Sequence, residues 1–242
     1  MKPLWIDTDA ALADACVRWR SQPWIAVDTE FVRINTYRAQ LCLVQVGADD
    51  GDACIDTLAI TDLKPLWDLL LDETVLKVLH ASSQDIELVV EHTGRAPAPL
   101  FDTQIAATLL GLGDQIGYAG LVEQRLGVVV DKSLSRTDWA KRPLRQVEID
   151  YAADDVRHLR ALYPELRDAV REAGRLDWLE ADCARLTDAA RYRIEPADAW
   201  QRLKGLNRLE PAAQGRHRVA VVARRHRGEI GGIPNHQWVG GG

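Results

Sequence analysis

Between residues 24 and 112 short apolar runs alternate with segments of helical periodicity, and few folds accommodate that alternation. Residues 24–31 (WIAVDTEF), 40–46 (QLCLVQV), 53–56, 75–80 and 100–102 read as strands of a buried sheet. Residues 61–71 set Leu63, Leu66, Trp67, Leu70 and Leu71 at helical spacing. Further helices are expected over 83–92, with Ser82 or Ser83 as cap, and over 103–112. The pattern predicts an α/β layer around one sheet.

Past residue 121 the pattern turns helical, over 117–127, 146–171 and 174–190, with Val128-Val129-Val130 as a strand candidate and 133–143 as an ordered loop. Glu195-Pro196-Ala197-Asp198 carries a helix-start signal, and Trp200, Leu203 and Leu206 follow at helical spacing. Beyond Pro211 the periodicity decays into a glycine-rich end. The expected organisation is an α/β domain over 1–172, a helical linker and the start of a helical domain over 173–210, and an atypical, poorly ordered tail over 211–242. That end reads as truncated or frame-shifted.

Composition narrows the class. A chain of 242 residues that is 47% hydrophobic and 27% charged has the material for a core and is not expected to be disordered. Its net charge of −6 disfavours a partner held by bulk positive charge, such as coated duplex DNA. No run approaches the ~18 apolar residues of a membrane span, and the acidic Asp7 interrupts the N-terminus before a secretory signal forms. Cys16, Cys42, Cys54 and Cys183 form no CxxC pair or zinc-spaced cluster, so Cys42 and Cys54 read as small core residues in a reducing, cytoplasmic compartment.

The acids carry the chemical information. Asp28 and Glu30 lie two apart on a strand and project from one face. Two carboxylates on a buried strand repel each other and lose hydration, a conflict that a hard divalent cation resolves. A strand end that reaches solvent would remove the conflict without a metal. Asp85 lies in the first turn of a predicted helix, where the helix dipole alone would favour it. Tyr151 and Asp155, four apart, share a helix face. A tyrosine beside a carboxylate can orient water or take part in proton transfer, or can simply be a core residue beside a solvated acid.

Taken together these segments resemble a known pattern. DTEF at 28–31, HASSQDIELV at 80–89 and YAADDVRHL at 151–159 resemble the three exonuclease motifs of the DEDD superfamily. The tyrosine four residues before the last aspartate resembles the DEDDy branch, and LFDTQIAA at 100–107 with SLSRTDWAKRPL at 133–144 resembles the ribonuclease D family within it. The resemblance spans about residues 3 to 210. It implies a ribonuclease H-like exonuclease domain, a mixed sheet flanked by helices, followed by a small helical segment. It also implies two divalent metal ions, Mg²⁺ or Mn²⁺, held by Asp28, Glu30, Asp85 and Asp155, with Tyr151 as the catalytic tyrosine. Asp28 would bridge both ions, Glu30 and Asp155 would complete the first, and Asp85 would hold the second through water. Such an enzyme would clip nucleoside 5′-monophosphates from RNA 3′ ends, tRNA precursors among them, with no membrane and no small-molecule cofactor.

Substrate contacts implied by the same motifs are Thr29, Phe31, His80, Gln84, Arg136, Lys141 and Arg142. Several have plainer readings: Phe31 alternates with core positions, His80 fits a buried structural histidine, Gln84 sits in a first helical turn, and the basic loop around Trp139 could be ordinary surface. Asp102 matches a family position, but a helix cap explains it equally well. Glu148 stands where the family pattern has glutamine, which should alter a local contact rather than metal binding. Chain action on DNA 3′ ends, and a non-catalytic RNA-binding protein on the same fold, are the competing expectations.

Overall fold

The computed structural model describes residues 2–33 and 39–192. In chain order the elements are β1 (Leu4–Ile6), α1 (Asp9–Trp19), β2 (Trp24–Val32), β3 (Gln40–Ala48), β4 (Gly51–Ile55), α2 (Lys64–Leu70), β5 (Leu76–Leu79), α3 (Ser83–Thr93), β6 (Leu100–Asp102), α4 (Thr103–Leu109), α5 (Tyr118–Leu126), α6 (Gln146–Glu172) and α7 (Leu176–Leu186). The strands form one sheet in the order β1-β4-β3-β2-β5-β6. The β2–β3 and β3–β4 pairs are antiparallel, and β1–β4, β2–β5 and β5–β6 are parallel. This mixed sheet flanked by helices is the ribonuclease H-like arrangement expected.

Alternation along β2 divides the molecule. Ile25 and Val27 join the main core with Leu12, Trp19, Leu66, Ile86 and Leu121. Ala26 turns to the opposite face and packs on Val156 and Leu159 of α6. Asp28 and Glu30 continue that second face. Helix α6 lies close against the sheet because β3 carries Gly47 there. A Cβ at that position would come 2.6 Å from Arg160 Cδ and 3.1 Å from the Val156 carbonyl oxygen. A third apolar group, with Cys42, Leu43, Cys54, Trp139, Leu144, Ala152 and Ala153, fills the space between β3, β4 and the first turns of α6.

The four cysteines are free and buried. Burial pushes the Cys16 and Cys54 thiols up to about 12, Cys183 to about 11, and Cys42 upward as well.

Two features depart from the sequence reading. Strand β1 and helix α1 were not expected, although Thr8 caps α1 through the Ala11 N–H at 3.3 Å and Leu12, Cys16 and Trp19 form a buried stripe. Residues 128–130 form no strand, and Val129 is 78% exposed. The helix expected over 174–190 forms as α7 and packs on β6 and α4, with Cys183 Sγ accepting the Asp102 N–H at 3.5 Å. The helix expected around Trp200, Leu203 and Leu206, and the tail over 211–242, lie outside the described residues. Among the described residues no helix is long and apolar enough to cross a membrane.

Candidate active site

The two motif acids of β2 sit at the end of the strand. The register with β3 shifts between Glu30 and Phe31, an irregularity that re-aims side chains where pairing would otherwise be uniform. Helix α6 crosses the same face and supplies Asp155. Carboxylate oxygens of Asp28, Glu30 and Asp155 all lie within 4.8 Å of one another. Their mutual repulsion is visible in their protonation. Burial first, then Asp155, Asp85 and Glu30, push Asp28 well up from the usual carboxylate range. Burial followed by Asp155 and Asp85 pushes Glu30 up to about 8, and burial followed by Asp154 pushes Asp155 up to about 7.

Such a donor set fits a hard divalent cation. It is oxygen-only, convergent and electrostatically frustrated without positive charge. A second observation agrees. Gln45, cross-strand from Asp28, is fully buried, and neither of its amide atoms finds a partner among the described residues. Buried amides are rarely left so unless a further polar group belongs nearby.

Asp85 approaches from α3 and is not one of the three clustered ligands. Its Oδ1 accepts the Thr29 hydroxyl at 2.5 Å. Burial raises the Asp85 carboxyl to about 6, with the Thr29 bond opposing the rise. The turn that delivers α3 is tight, with Ala81 at a left-handed φ of 52°. Asp102 stabilises it: its Oδ2 accepts the Ser82 N–H at 2.9 Å and the Ser82 hydroxyl at 2.8 Å, and its Oδ1 accepts the Ala81 N–H at 3.2 Å. The same carboxylate caps α4 through the Gln104 and Ile105 N–H groups.

Tyr151 lies one turn before Asp155 on α6, half-buried, and burial, then Asp155, Glu30 and Asp28, push its phenol up to about 12. The Tyr118 hydroxyl on α5 donates to the Asp155 carbonyl oxygen at 2.5 Å and fixes that stretch of helix. Nothing in the local pattern marks this contact, because Tyr118 looks like any amphipathic helix residue.

The other expected residues separate into two groups. Gln84, Arg136 and Lys141 are exposed. Phe31 is half-buried against the core, with the Arg33 guanidinium 5.4 Å from its ring centre and Arg33 paired to Glu87 at 2.7 Å. By contrast, His80 faces protein. Its Nδ1 lies 2.9 Å from the Thr103 hydroxyl, which itself donates to the Leu79 carbonyl at 3.1 Å, and its ring meets Tyr118 edge-on. Arg142 is likewise turned inward. Its guanidinium donates to both Asp56 oxygens (2.8 and 2.7 Å) and to the carbonyls of Trp139, Lys141 and Cys42 (2.7, 2.8 and 2.7 Å). All five of its donors are thereby engaged, leaving none for a phosphate. Glu148 accepts the Arg145 N–H at 2.7 Å, so the departure from the family pattern falls on a helix start.

A sheet of this order, with three convergent carboxylates at its centre and a tyrosine one turn before the last, defines a class of phosphodiester-cleaving enzymes. The chain belongs to the 3′-5′ exonuclease family, whose model matches residues 3–171. Among its relatives, ribonuclease D of Sphingobium indicum is 46% identical over 237 residues, covering 94% of this chain and 61% of that protein. The crystal structure of Escherichia coli RNase D, an exoribonuclease involved in structured RNA processing, superposes with a TM-score of 0.84 at 37% identity, covering 95% of this chain and 62% of that one. Brucella melitensis NrnC with bound Mg²⁺ superposes with a TM-score of 0.67 at 25% identity, covering 84% and 96%. The chain thus spans about three-fifths of the length of these ribonuclease D relatives.

Proposed function

We propose that this chain is a 3′→5′ exoribonuclease that removes nucleoside 5′-monophosphates from RNA 3′ ends, with tRNA precursors as the substrate class. The observation that carries the reading is the convergence of Asp28, Glu30 and Asp155 within 4.8 Å, with Tyr151 one turn away. Ribonuclease D relatives and a Mg²⁺-bound structural neighbour support it.

Asp28, Glu30 and Asp155 would hold one divalent cation, and Asp28 with Asp85 a second, Mg²⁺ or Mn²⁺ serving in both places. When bound, the ions supply activation of water and neutralisation of the charge that develops on the departing 3′-oxygen. The protein does the rest by placement. In the metal-free protein burial, then Asp155, Glu30 and Asp28, push the Tyr151 phenol up to about 12. Its hydroxyl, one turn before Asp155, is placed to orient the attacking water. Thr29 holds Asp85 in place through its hydroxyl. Exposed Arg136 and Lys141 meet the phosphates of the incoming strand. Phe31, half-buried at the end of β2, offers its ring to the terminal base.

The test is 5′-labelled RNA with a 3′ overhang, incubated with Mg²⁺ or Mn²⁺ beside the DNA equivalent. Mononucleotide release from RNA, abolished in Asp28→Ala and Asp155→Ala, supports the reading. Preference for DNA replaces it with a DNA exonuclease. Binding without hydrolysis under either metal leaves a non-catalytic RNA-binding protein.

A further inference from the structure

We infer that Trp139 is a positioning residue for Tyr151, held in place by an Arg142–Asp56 clamp. The inference rests on the role proposed for Tyr151 above. Trp139 sits in a basic loop between Arg136 and Lys141, where a tryptophan suggests a platform for a nucleobase. Its surroundings contradict that use, because it is only 4% exposed and packs with Cys42, Leu43, Cys54, Leu144, Ala152 and Ala153. Its outward neighbour is Tyr151. The two rings stack with centroids 6.4 Å apart and planes 26° from parallel.

A tyrosine on a helix face has two accessible staggered positions about its first torsion. The indole stacked along one side of the ring restricts that freedom. The wall itself comes from a loop without regular structure, so something must hold it. Arg142 does so. Its forked bond to Asp56, which is 5% exposed at the end of β4, ties the loop to the sheet, and its bonds to the Trp139 and Lys141 carbonyls set the loop's curvature. The Asp56 carboxylate is fixed in turn by the Leu58 N–H at 3.1 Å. The chain of placement therefore runs from β4 through Asp56, Arg142 and Trp139 to the Tyr151 hydroxyl. Asp56, Arg142 and Trp139 all lie outside the carboxylate cluster of Asp28, Glu30 and Asp155.

The experiment is a double-mutant cycle on the full chain. Trp139→Leu should lower kcat about tenfold at saturating RNA and Mn²⁺, the kind of loss that misplacing a water-orienting group brings. KM and the Mn²⁺ affinity read by electron paramagnetic resonance should stay within about twofold, and Trp139→Phe should recover most of the loss. Added to Tyr151→Phe, the Trp139→Leu change should cost less than about twofold more. A second readout needs no activity: in metal-free protein with labelled tyrosine, the Tyr151 ring resonance, identified by its absence in Tyr151→Phe, should be single in the parent and in Trp139→Phe, and broadened or split in Trp139→Leu. Asp56→Asn weakens the clamp without disturbing the apolar cluster and should reproduce the fall in kcat. An additive effect of Trp139→Leu on Tyr151→Phe, or an equal fall in Mn²⁺ affinity, would overturn the inference while leaving the catalytic reading intact. Full activity in Tyr151→Phe would overturn both and would locate the failure in the role of Tyr151.

Discussion

The Thr29 hydroxyl donates to Oδ1 of Asp85 at 2.5 Å, joining β2 to the first turn of α3. Thr29 alternates with Asp28 and Glu30 along β2, and its hydroxyl holds the Asp85 carboxylate in place. Thr29→Val should weaken divalent binding at the Asp85 position by about tenfold or more, as loss of such an outer hydrogen bond commonly does. Thr29→Ser should restore it. Mn²⁺ titration of the two variants reads the outcome, and equal affinity in Thr29→Val would remove the bond from the account.

The carboxylate cluster makes stability depend on pH in an unusual direction. Glu30, Asp155 and Asp85 titrate near 8, 7 and 6 in the folded protein, all above their ordinary values. At these carboxylates the folded state therefore binds more protons than the unfolded one, and their contribution to stability falls as pH rises. The window runs from about 4, where the unfolded acids titrate, to about 8. In chelator, the melting temperature should fall from pH 5 to pH 8. Saturating Mg²⁺ should flatten that decline, and Asp28→Asn should raise the chelated melting temperature at pH 8. A chelated melting temperature that climbs over the same range would contradict the cluster.

Asp102 supports two helix starts with one buried carboxylate. Asp102→Ala should cost about 2–4 kcal/mol in urea unfolding, because it removes a cap and leaves the Ser82 N–H unpaired. Metal affinity should fall along with stability, since α3 carries Asp85. Asp102→Asn should fall between the two, as its single oxygen can serve only part of the network.

Gly47 lets α6 approach the sheet. Gly47→Ala places a methyl against Arg160 and the Val156 carbonyl. Overpacking of this kind typically costs about 1–3 kcal/mol. The helix would lift, and Asp155 and Tyr151 with it, so exonuclease activity should decline together with the melting temperature. An unchanged melting temperature would show that the Arg160 side chain absorbs the methyl alone.

Sequence reached the site more readily than its supports. The Asp28–Glu30 spacing and the Tyr151–Asp155 spacing are local periodicities, so one strand and one helix placed each pair on a face before any tertiary information was needed. What brings those faces together is not local. The Asp102 network and the Tyr118–Asp155 contact join residues 20 and 37 positions apart, and neither leaves a mark in composition. Arg142 and Trp139 read as surface residues because their loop is basic, whereas a single buried carboxylate 86 positions upstream turns the arginine inward. Strand β1 and helix α1 escaped for another reason: three residues are too few to show alternation, and an alanine-rich helix displays only a thin apolar stripe. Val128 to Val130 had the right composition for a strand but lie outside the six-stranded sheet.

Because each native thiol is enclosed and kept protonated, the folded protein should be silent to thiol reagents at neutral pH. A lone cysteine placed on the surface, for instance at Ser135 in the exposed loop, would then accept a fluorophore selectively with the four native residues left in place. Arrival of an RNA end could be followed in real time, on a protein whose own chemistry had not been edited to make the dye possible.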